Sequence, residues 1–209
     1  MEKKAVWISC AAHFSNNYGF YFLITWLPLY LVTERGLSIE LMATLTGLTY
    51  AVETVAALAL GWLSDHFIRL GYSESRVRKG FQGWSQVAKA ASILGIALSD
   101  SQAAMISWLV VAGIAFGVAH GQNFVIPQLF AGPRACGRWV GLQNGTANFA
   151  GIVGPVITGL VIDSTGGYWA AFALASAVTF VGAILWGIVL PPVQPVQWRS
   201  SVKEVVGPI

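Results

Sequence analysis

Polar and ionisable side chains recur at a similar depth within the long apolar segments of this 209-residue chain. They are Asn17, Glu53, Lys89, His120 and Asn148. Counted from one end of each segment at about 1.5 Å per helical residue, they lie roughly 12–17 Å deep. A charged group in such a segment is costly and usually faces a polar cavity or an opposite charge. The pattern indicates binding and passage of a polar solute rather than bond-making chemistry.

Glu53 and Lys89 carry the charges of this set, and they fall on consecutive predicted helices at similar depth. We expect them to form an ion pair or to line a cavity together, because an unpaired buried charge is unfavourable. The alternative is that Lys89 extends toward the membrane surface while Glu53 is protonated. His120 joins them as a coupling candidate because histidine titrates near neutral pH, with a neutral packing role as its alternative.

Uncharged polar groups provide the candidate ligand-binding residues. Asn17 and Tyr21 share one helix face, Asn144 and Asn148 are one turn apart, and Asn123 follows His120 on another helix. Amides can donate to carboxylate or hydroxyl oxygens without the cost of a buried charge. This chemistry favours a sugar acid or another polar organic anion as the ligand. The alternative is that these amides join helices to one another.

Other functional classes have little support in the sequence. It contains no metal-ligand cluster, phosphate-binding loop or nucleophile–base arrangement, so we expect neither an enzyme nor a cofactor or metal. Cys10 and Cys136 do not make a disulfide framework. The basic residues form no tract dense enough for nucleic acid.

The elements that position these groups are predicted to be transmembrane helices. Hydrophobic residues make up 56% of the chain and charged residues only 10%, against about 25% charged in a soluble domain. A spanning helix needs about 20 mostly apolar residues. The sequence therefore predicts an all-α membrane protein with six spans in one bundle and a cytoplasmic tail over 191–209. The spans are 6–32, 41–64, 81–98, 104–129, 140–163 and 169–190.

Basic residues predict the orientation of these spans. If six helices alternate, ten Lys and Arg residues fall on one side and only Arg35 on the other. Lys and Arg in short loops favour the cytoplasm, so both termini are predicted to be cytoplasmic. Tryptophans near the span ends are predicted to lie at the membrane surface. They are Trp7, Trp62, Trp84, Trp139, Trp169 and Trp186.

A short internal repeat suggests two related halves. Gly61 precedes Asp65 by four residues at the end of the second span, and Gly159 precedes Asp163 likewise at the end of the fifth. The two ends face opposite sides of the predicted bundle. Two inverted triplets of helices are typical of secondary transporters.

Three segments together resemble the major facilitator superfamily, and more narrowly its anion:cation symporter branch. Residues 13–30 read HFSNNYGFYFLITWLPLY and are similar to the seventh helix of that branch. Residues 61–66 read GWLSDH and precede a basic stretch at 69–79, like the second copy of the superfamily's cytoplasmic loop motif. Residues 131–155 are similar to the region of the tenth and eleventh helices.

This resemblance implies the carboxy-terminal half of a twelve-helix fold, with the substrate cavity between the two halves. It implies a substrate-binding asparagine at Asn148 or Asn144, and it supports Asn17, Tyr21 and Asn123 as further contacts. The loop motif, matched here by Gly61, Asp65 and Arg69, has a structural and gating role in the family. His66 stands where arginine is commoner. The branch's substrate-binding arginine and main proton-coupling acids belong to the amino-terminal half.

The expected function is proton-coupled secondary transport of a small organic anion, such as a hexuronate-like or galactonate-like sugar acid, across the inner cell membrane. The partners would be the lipid bilayer, the anion, protons and an amino-terminal six-helix half, either as a separate chain or because this chain is truncated. One alternative is a membrane scaffold or carrier remnant that does not transport. Another is a homodimeric carrier, in which two copies replace the two halves.

Overall fold

The computed structural model describes residues 2–198, and over that range it contains helices and no β-strand. A short π-helical turn, Leu185–Val189, continues the last helix. Arg199, Lys203 and the rest of the predicted tail beyond residue 198 lie outside the described residues. The helices are α1 (Glu2–Thr33), α2 (Ile39–Arg69), α3 (Glu74–Leu98), α4 (Gln102–Asn148), α5 (Ala150–Thr165) and α6 (Trp169–Ile184).

The helix ends follow from local sequence. The hydroxyl oxygens of Ser38 and Ser101 accept from backbone N–H groups in the first turns of α2 and α4, each at 3.2 Å. Such bonds satisfy N–H groups that have no partner inside a helix. Gly166 ends α5 in the left-handed conformation, with φ of 70°, which glycine adopts without steric cost.

The predicted spans 104–129 and 140–163 are separated by a helical kink and not by a loop. Gly132 has φ of 62° and ψ of 179°, and the backbone on either side of it is helical. Pro133 follows, and it cannot donate a backbone hydrogen bond, which favours a break at this point. A second, milder interruption falls at Phe149, which separates α4 from α5 but keeps helical backbone angles, with φ of −59° and ψ of −25°.

Three helical stretches are long and apolar enough to cross a membrane by length and composition. They are Ile39–Arg69, Gln102–Thr165 and Trp169–Val189. The remaining two helices, α1 and α3, carry many polar residues that the fold buries. In α3 these residues repeat at helical spacing on one buried face, so its low hydropathy reflects an interior stripe. The stripe is Gln82, Ser85, Gln86, Lys89 and Ser92.

α4 is the central packing element, in contact with α1, α2 and α3. Two glycines let it approach α2 closely. A Cβ at Gly113 would lie 2.7 Å from the carbonyl oxygen of Thr49, and a Cβ at Gly117 would collide with the carbonyl oxygen of Glu53. Small residues at helix contacts allow such backbone approach in membranes. The contact fixes the position of Glu53 relative to α4.

The tryptophans divide into two groups. Trp7, Trp62, Trp84 and Trp169 are exposed, as expected for residues at a membrane surface. The same expectation is wrong for the other two, because Trp139 and Trp186 are buried. Both belong to an apolar cluster with Phe130 and Leu190 at the basic end of the bundle. Stacking of Trp139 on Phe130, with ring centres 5.5 Å apart, accounts for part of this burial.

Candidate functional site

Tyr21 and Asn148 join α1 to the last turn of α4. The Tyr21 hydroxyl donates to Oδ1 of Asn148 at 2.7 Å, and Nδ2 of Asn148 donates to the carbonyl oxygen of Asn144 at 2.9 Å. Asn148 is exposed and Tyr21 and Asn144 are half-buried. Three of the residues predicted to bind a ligand therefore lie together on an accessible face of the bundle.

Gly151 holds the Tyr21 ring in place. A Cβ at this position would lie 2.8 Å from Cζ of Tyr21, closer than real Cβ contacts come. The ring therefore lies directly against the α5 backbone, one turn beyond Asn148. This packing restricts the rotation of the Tyr21 side chain. Such restriction keeps the hydroxyl of a binding residue pointing in one direction.

Glu53 and His120 form a second polar pair, between α2 and α4. Oε1 of Glu53 lies 2.5 Å from Nδ1 of His120, and the side chains are 16% and 33% exposed. The structure does not join Glu53 to Lys89 as expected from their depths in the sequence. Matching depth along two helices does not fix how their side chains are turned, and α4 brings His120 nearer to Glu53.

Phe20 separates the two polar pairs. Its ring centre lies 5.5 Å from that of Tyr21 and 5.1 Å from that of His120, both in edge-on geometry. A small cavity of about 40 Å³ adjoins Phe20 and Glu53 between α1, α2 and α4. The accessible face thus combines two hydrogen-bonding pairs with an apolar ring between them.

Lys89 lies inside the bundle, behind the ring of Phe116, which packs against Phe20. It is fully buried, its Nζ donates to Oδ1 of Asn16, and it lies 4.0 Å from the ring centre of Phe116. Nε2 of Gln86 donates to the same Asn16 oxygen at 2.8 Å. An amide oxygen and an aromatic face can each stabilise a cation, so Lys89 is held by uncharged groups.

Two further predicted binding residues are also buried. Asn17 accepts from Nδ2 of Asn16 at 3.1 Å, beside the Lys89 network. Oδ1 of Asn123 accepts from Nε2 of Gln82 at 2.6 Å. The backbone carbonyl oxygen of Asn123 accepts from Nε2 of Gln143 at 2.8 Å. Asn123 has no exposed surface. These contacts favour helix joining, the alternative role that amides have within spans.

In the loop motif between α2 and α3, Asp65 pairs with Arg78 and not with Arg69, the arginine selected from the sequence. Asp65 Oδ1 accepts from Nη2 of Arg78 at 2.7 Å, and Nη1 of Arg78 donates to Ser64 Oγ at 2.9 Å. Arg69 is exposed, and a Cβ at Gly61 would meet open space. The contact is made across the loop, so it connects the end of α2 to the start of α3.

The comparison with known families decides the classification. Residues 9–207 match the family model of the Major Facilitator Superfamily. The chain belongs to this superfamily. It is accordingly a multi-pass membrane protein, and the superfamily and its transporter-named members point away from an enzyme.

Members of the superfamily with similar sequences are named as anion transporters. The chain is 28% identical to the hexuronate transporter of Bacillus subtilis (strain 168), over 100% of this chain and 49% of that protein. It is 28% identical to the chloroplastic ascorbate transporter of Arabidopsis thaliana, over 90% of this chain and 34% of that protein. The chain is 24% identical to the chloroplastic probable anion transporter 3 of Oryza sativa subsp. japonica, over 90% of this chain and 36% of that protein. The chain spans half the length or less of these relatives.

Several residues of the polar networks were not singled out from the sequence. Gln82 and Gln86 were missed, although their spacing with Lys89 is a helical stripe that could have identified a buried polar face. Phe20 was not selected as a site residue, because nothing local indicates that an aromatic ring separates two polar pairs. Within residues 2–198, no group of three or more metal-ligating side chains comes together.

Proposed function

We propose that this chain forms the carboxy-terminal six-helix half of a major-facilitator carrier for a small organic anion of the sugar-acid class. The observation that carries the proposal is the pairing of Tyr21 with Asn148 beside the Glu53–His120 pair on one accessible face. Asn17 and Asn123 are instead buried in helix contacts, so this face has the polar groups best able to meet a solute. The name of the Bacillus subtilis relative supports a hexuronate-like substrate.

The six-helix arrangement is part of the same proposal. We count α1, α2, α3 and α6 as one span each, and the kink at Gly132 divides the remaining stretch, Gln102–Thr165, into two. α1 and α3 reach the required length, and the polar residues in their middle turns, among them Asn16 and Lys89, are buried. The repeat of Gly61 and Asp65 at Gly159 and Asp163 supports two inverted triplets. The basic loops support cytoplasmic termini in a cell membrane.

Proton coupling through Glu53 and His120 completes the proposal. The pair is partly accessible, and either member can exchange a proton with the other across one hydrogen bond. Protonation of a carboxylate beside a histidine changes the charge of the site by one unit, which alters how strongly an anion binds. Tyr21 and Asn148 supply donors and acceptors without a charge, suited to hydroxyl and carboxylate oxygens.

The test is counterflow of radiolabelled glucuronate in liposomes. The full chain is co-reconstituted with a matching amino-terminal half, and an imposed pH gradient is the driving force in a parallel assay. We expect saturable exchange that unlabelled galacturonate inhibits and that chloride or phosphate does not. Asn148→Ala should raise KM. Asp100→Asn is the control and should leave KM unchanged, because Asp100 lies at an exposed turn between α3 and α4, outside the site.

Two outcomes would redirect the interpretation. Uptake by the chain alone would favour the homodimeric carrier over a half that needs its complement. No exchange of any sugar acid by a stable, co-purifying pair of halves would overturn the transport proposal and favour the scaffold.

A further inference from the structure

Two apolar grooves flank Trp84 on the outer face of α3. The first, about 660 Å³, lies between α3 and the end of the last helix. The second, about 530 Å³, lies between α3 and α4. Both grooves are lined by Arg76, Gly80 and Trp84, which are one turn apart on a single face. Both grooves therefore begin at the basic side chain of Arg76 and run along opposite sides of Trp84.

The shared end of the grooves is polar and positively charged. Arg76 is exposed and lines both grooves, and Lys79 lines the first, with its Nζ donating to the carbonyl oxygen of Leu190. Ser73 and Ser75 line the same end of the first groove, and Ser75 Oγ, which accepts from the backbone N–H of Val193 at 2.8 Å, keeps its own proton to donate. A cation beside hydroxyl donors complements a phosphate group.

The rest of each groove is apolar and has the length of one membrane leaflet. From Arg76 to Ala88 along α3 is about 18 Å at 1.5 Å per residue, while half of the hydrocarbon core is about 15 Å. Close approach of Gly83 to Gly187 forms part of the first groove, because a Cβ at Gly83 would lie 3.3 Å from Cα of Gly187. Trp84, 75% exposed, stands between the two grooves.

We propose that this surface binds one anionic phospholipid with two acyl chains. The phosphate lies at Arg76 and Lys79, and one acyl chain occupies each groove on either side of Trp84. Charge complementarity at one end and two apolar channels of leaflet length select this occupant over a free anion or a single-chain amphiphile. Basic pockets between membrane helices are known to hold anionic headgroups. The inference rests on the bilayer placement proposed above and does not depend on transport.

The experiment is native mass spectrometry of the full chain in detergent with phosphatidylglycerol and phosphatidylcholine of identical acyl chains. We expect one phosphatidylglycerol to bind more tightly than phosphatidylcholine and more tightly than lyso-phosphatidylglycerol. Arg76→Gln should weaken phosphatidylglycerol binding about fivefold, the loss expected for one basic residue near a headgroup. Arg69→Gln is the matched control, because Arg69 is an exposed arginine at the neighbouring helix end and lines neither groove.

The acyl-chain sites have their own variant. Ile114→Trp places a larger side chain in the α3–α4 groove at an exposed position, and it should weaken phosphatidylglycerol but not its lyso form. Ile152→Trp, an exposed position on α5 outside both grooves, is its control. Equal binding of the two headgroups, equal loss in Arg76→Gln and Arg69→Gln, or displacement of the lipid by millimolar inorganic phosphate would each overturn the proposal. Because binding is measured without a substrate, failure here leaves the transport proposal standing.

Discussion

The hydroxyl of Tyr21 donates to Oδ1 of Asn148 across 2.7 Å, although the two residues are 127 positions apart in the chain. The bond connects α1 to the end of α4 beside the interruption at Phe149. A solute that accepts from the Tyr21 hydroxyl would compete with Asn148 for it. Binding and the contact between two helices would then depend on the same hydrogen bond.

Tyr21→Phe removes this hydroxyl and keeps the ring. We expect the fold to persist and KM for glucuronate exchange to rise about two- to tenfold, the range for one hydrogen bond. Counterflow kinetics with the assembled carrier measure the change. Tyr72→Phe, at an exposed loop position, is the matched control. Unchanged KM in Tyr21→Phe would remove Tyr21 from the binding site.

Gly151→Ala tests whether packing positions Tyr21. The added methyl would lie 2.8 Å from Cζ of the ring, so the ring must move and the bond to Asn148 must weaken. We expect KM to rise at least as much as in Tyr21→Phe. Gly145→Ala is the control, because its Cβ would meet open space and alanine favours helix by about 1 kcal/mol. Equal kinetics in both alanine variants would contradict the positioning role.

The sequence predicts the chemistry of this face better than its geometry. Helical spacing and depth are sufficient to select Tyr21 and Asn148, because both properties depend on one helix at a time. Those properties do not tell which way a residue faces around the helix axis, so they select Asn123 as well, although it is fully buried. Likewise, depth matches Glu53 with Lys89, while the close approach of α4 at Gly117 brings His120 to Glu53.

Glu53→Gln separates coupling from substrate binding. Glutamine keeps the size and a hydrogen-bonding oxygen at this position and removes the group that takes up a proton. We expect counterflow to continue while uptake driven by a pH gradient falls to the rate without a gradient. Both assays use the same liposome preparation, so a folding defect would lower both. Gradient-driven uptake at the wild-type rate would contradict a coupling role for the pair.

Arg78→Gln and Asp65→Asn should have unequal effects on the melting temperature in detergent. Asp65 is 58% exposed and its ion pair is screened, so its loss is expected to cost less than about 1 kcal/mol. Arg78 is only 12% exposed and also donates to Ser64, so its loss should cost more, roughly 1–3 kcal/mol. Arg69→Gln is expected to leave the melting temperature unchanged. A larger loss of stability in Arg69→Gln than in Arg78→Gln would indicate that Arg69, and not Arg78, pairs with Asp65.

Asn16 and Lys89 give a stability test of how a membrane helix holds a buried cation. Asn16→Ala removes the oxygen that accepts from Lys89 and leaves a buried charge without that acceptor, a change expected to cost roughly 1.5–3 kcal/mol. Lys89→Met removes the charge and keeps the length, and Asn16 still accepts from Gln86 at 2.8 Å. We therefore expect Lys89→Met to melt within a few degrees of wild type and to restore part of the stability lost in Asn16→Ala. Melting curves of the two single variants and the double variant form the complete cycle. If Lys89 instead neutralised Glu53, Lys89→Met would be strongly destabilising, and Glu53→Gln would rescue it where Asn16→Ala would not.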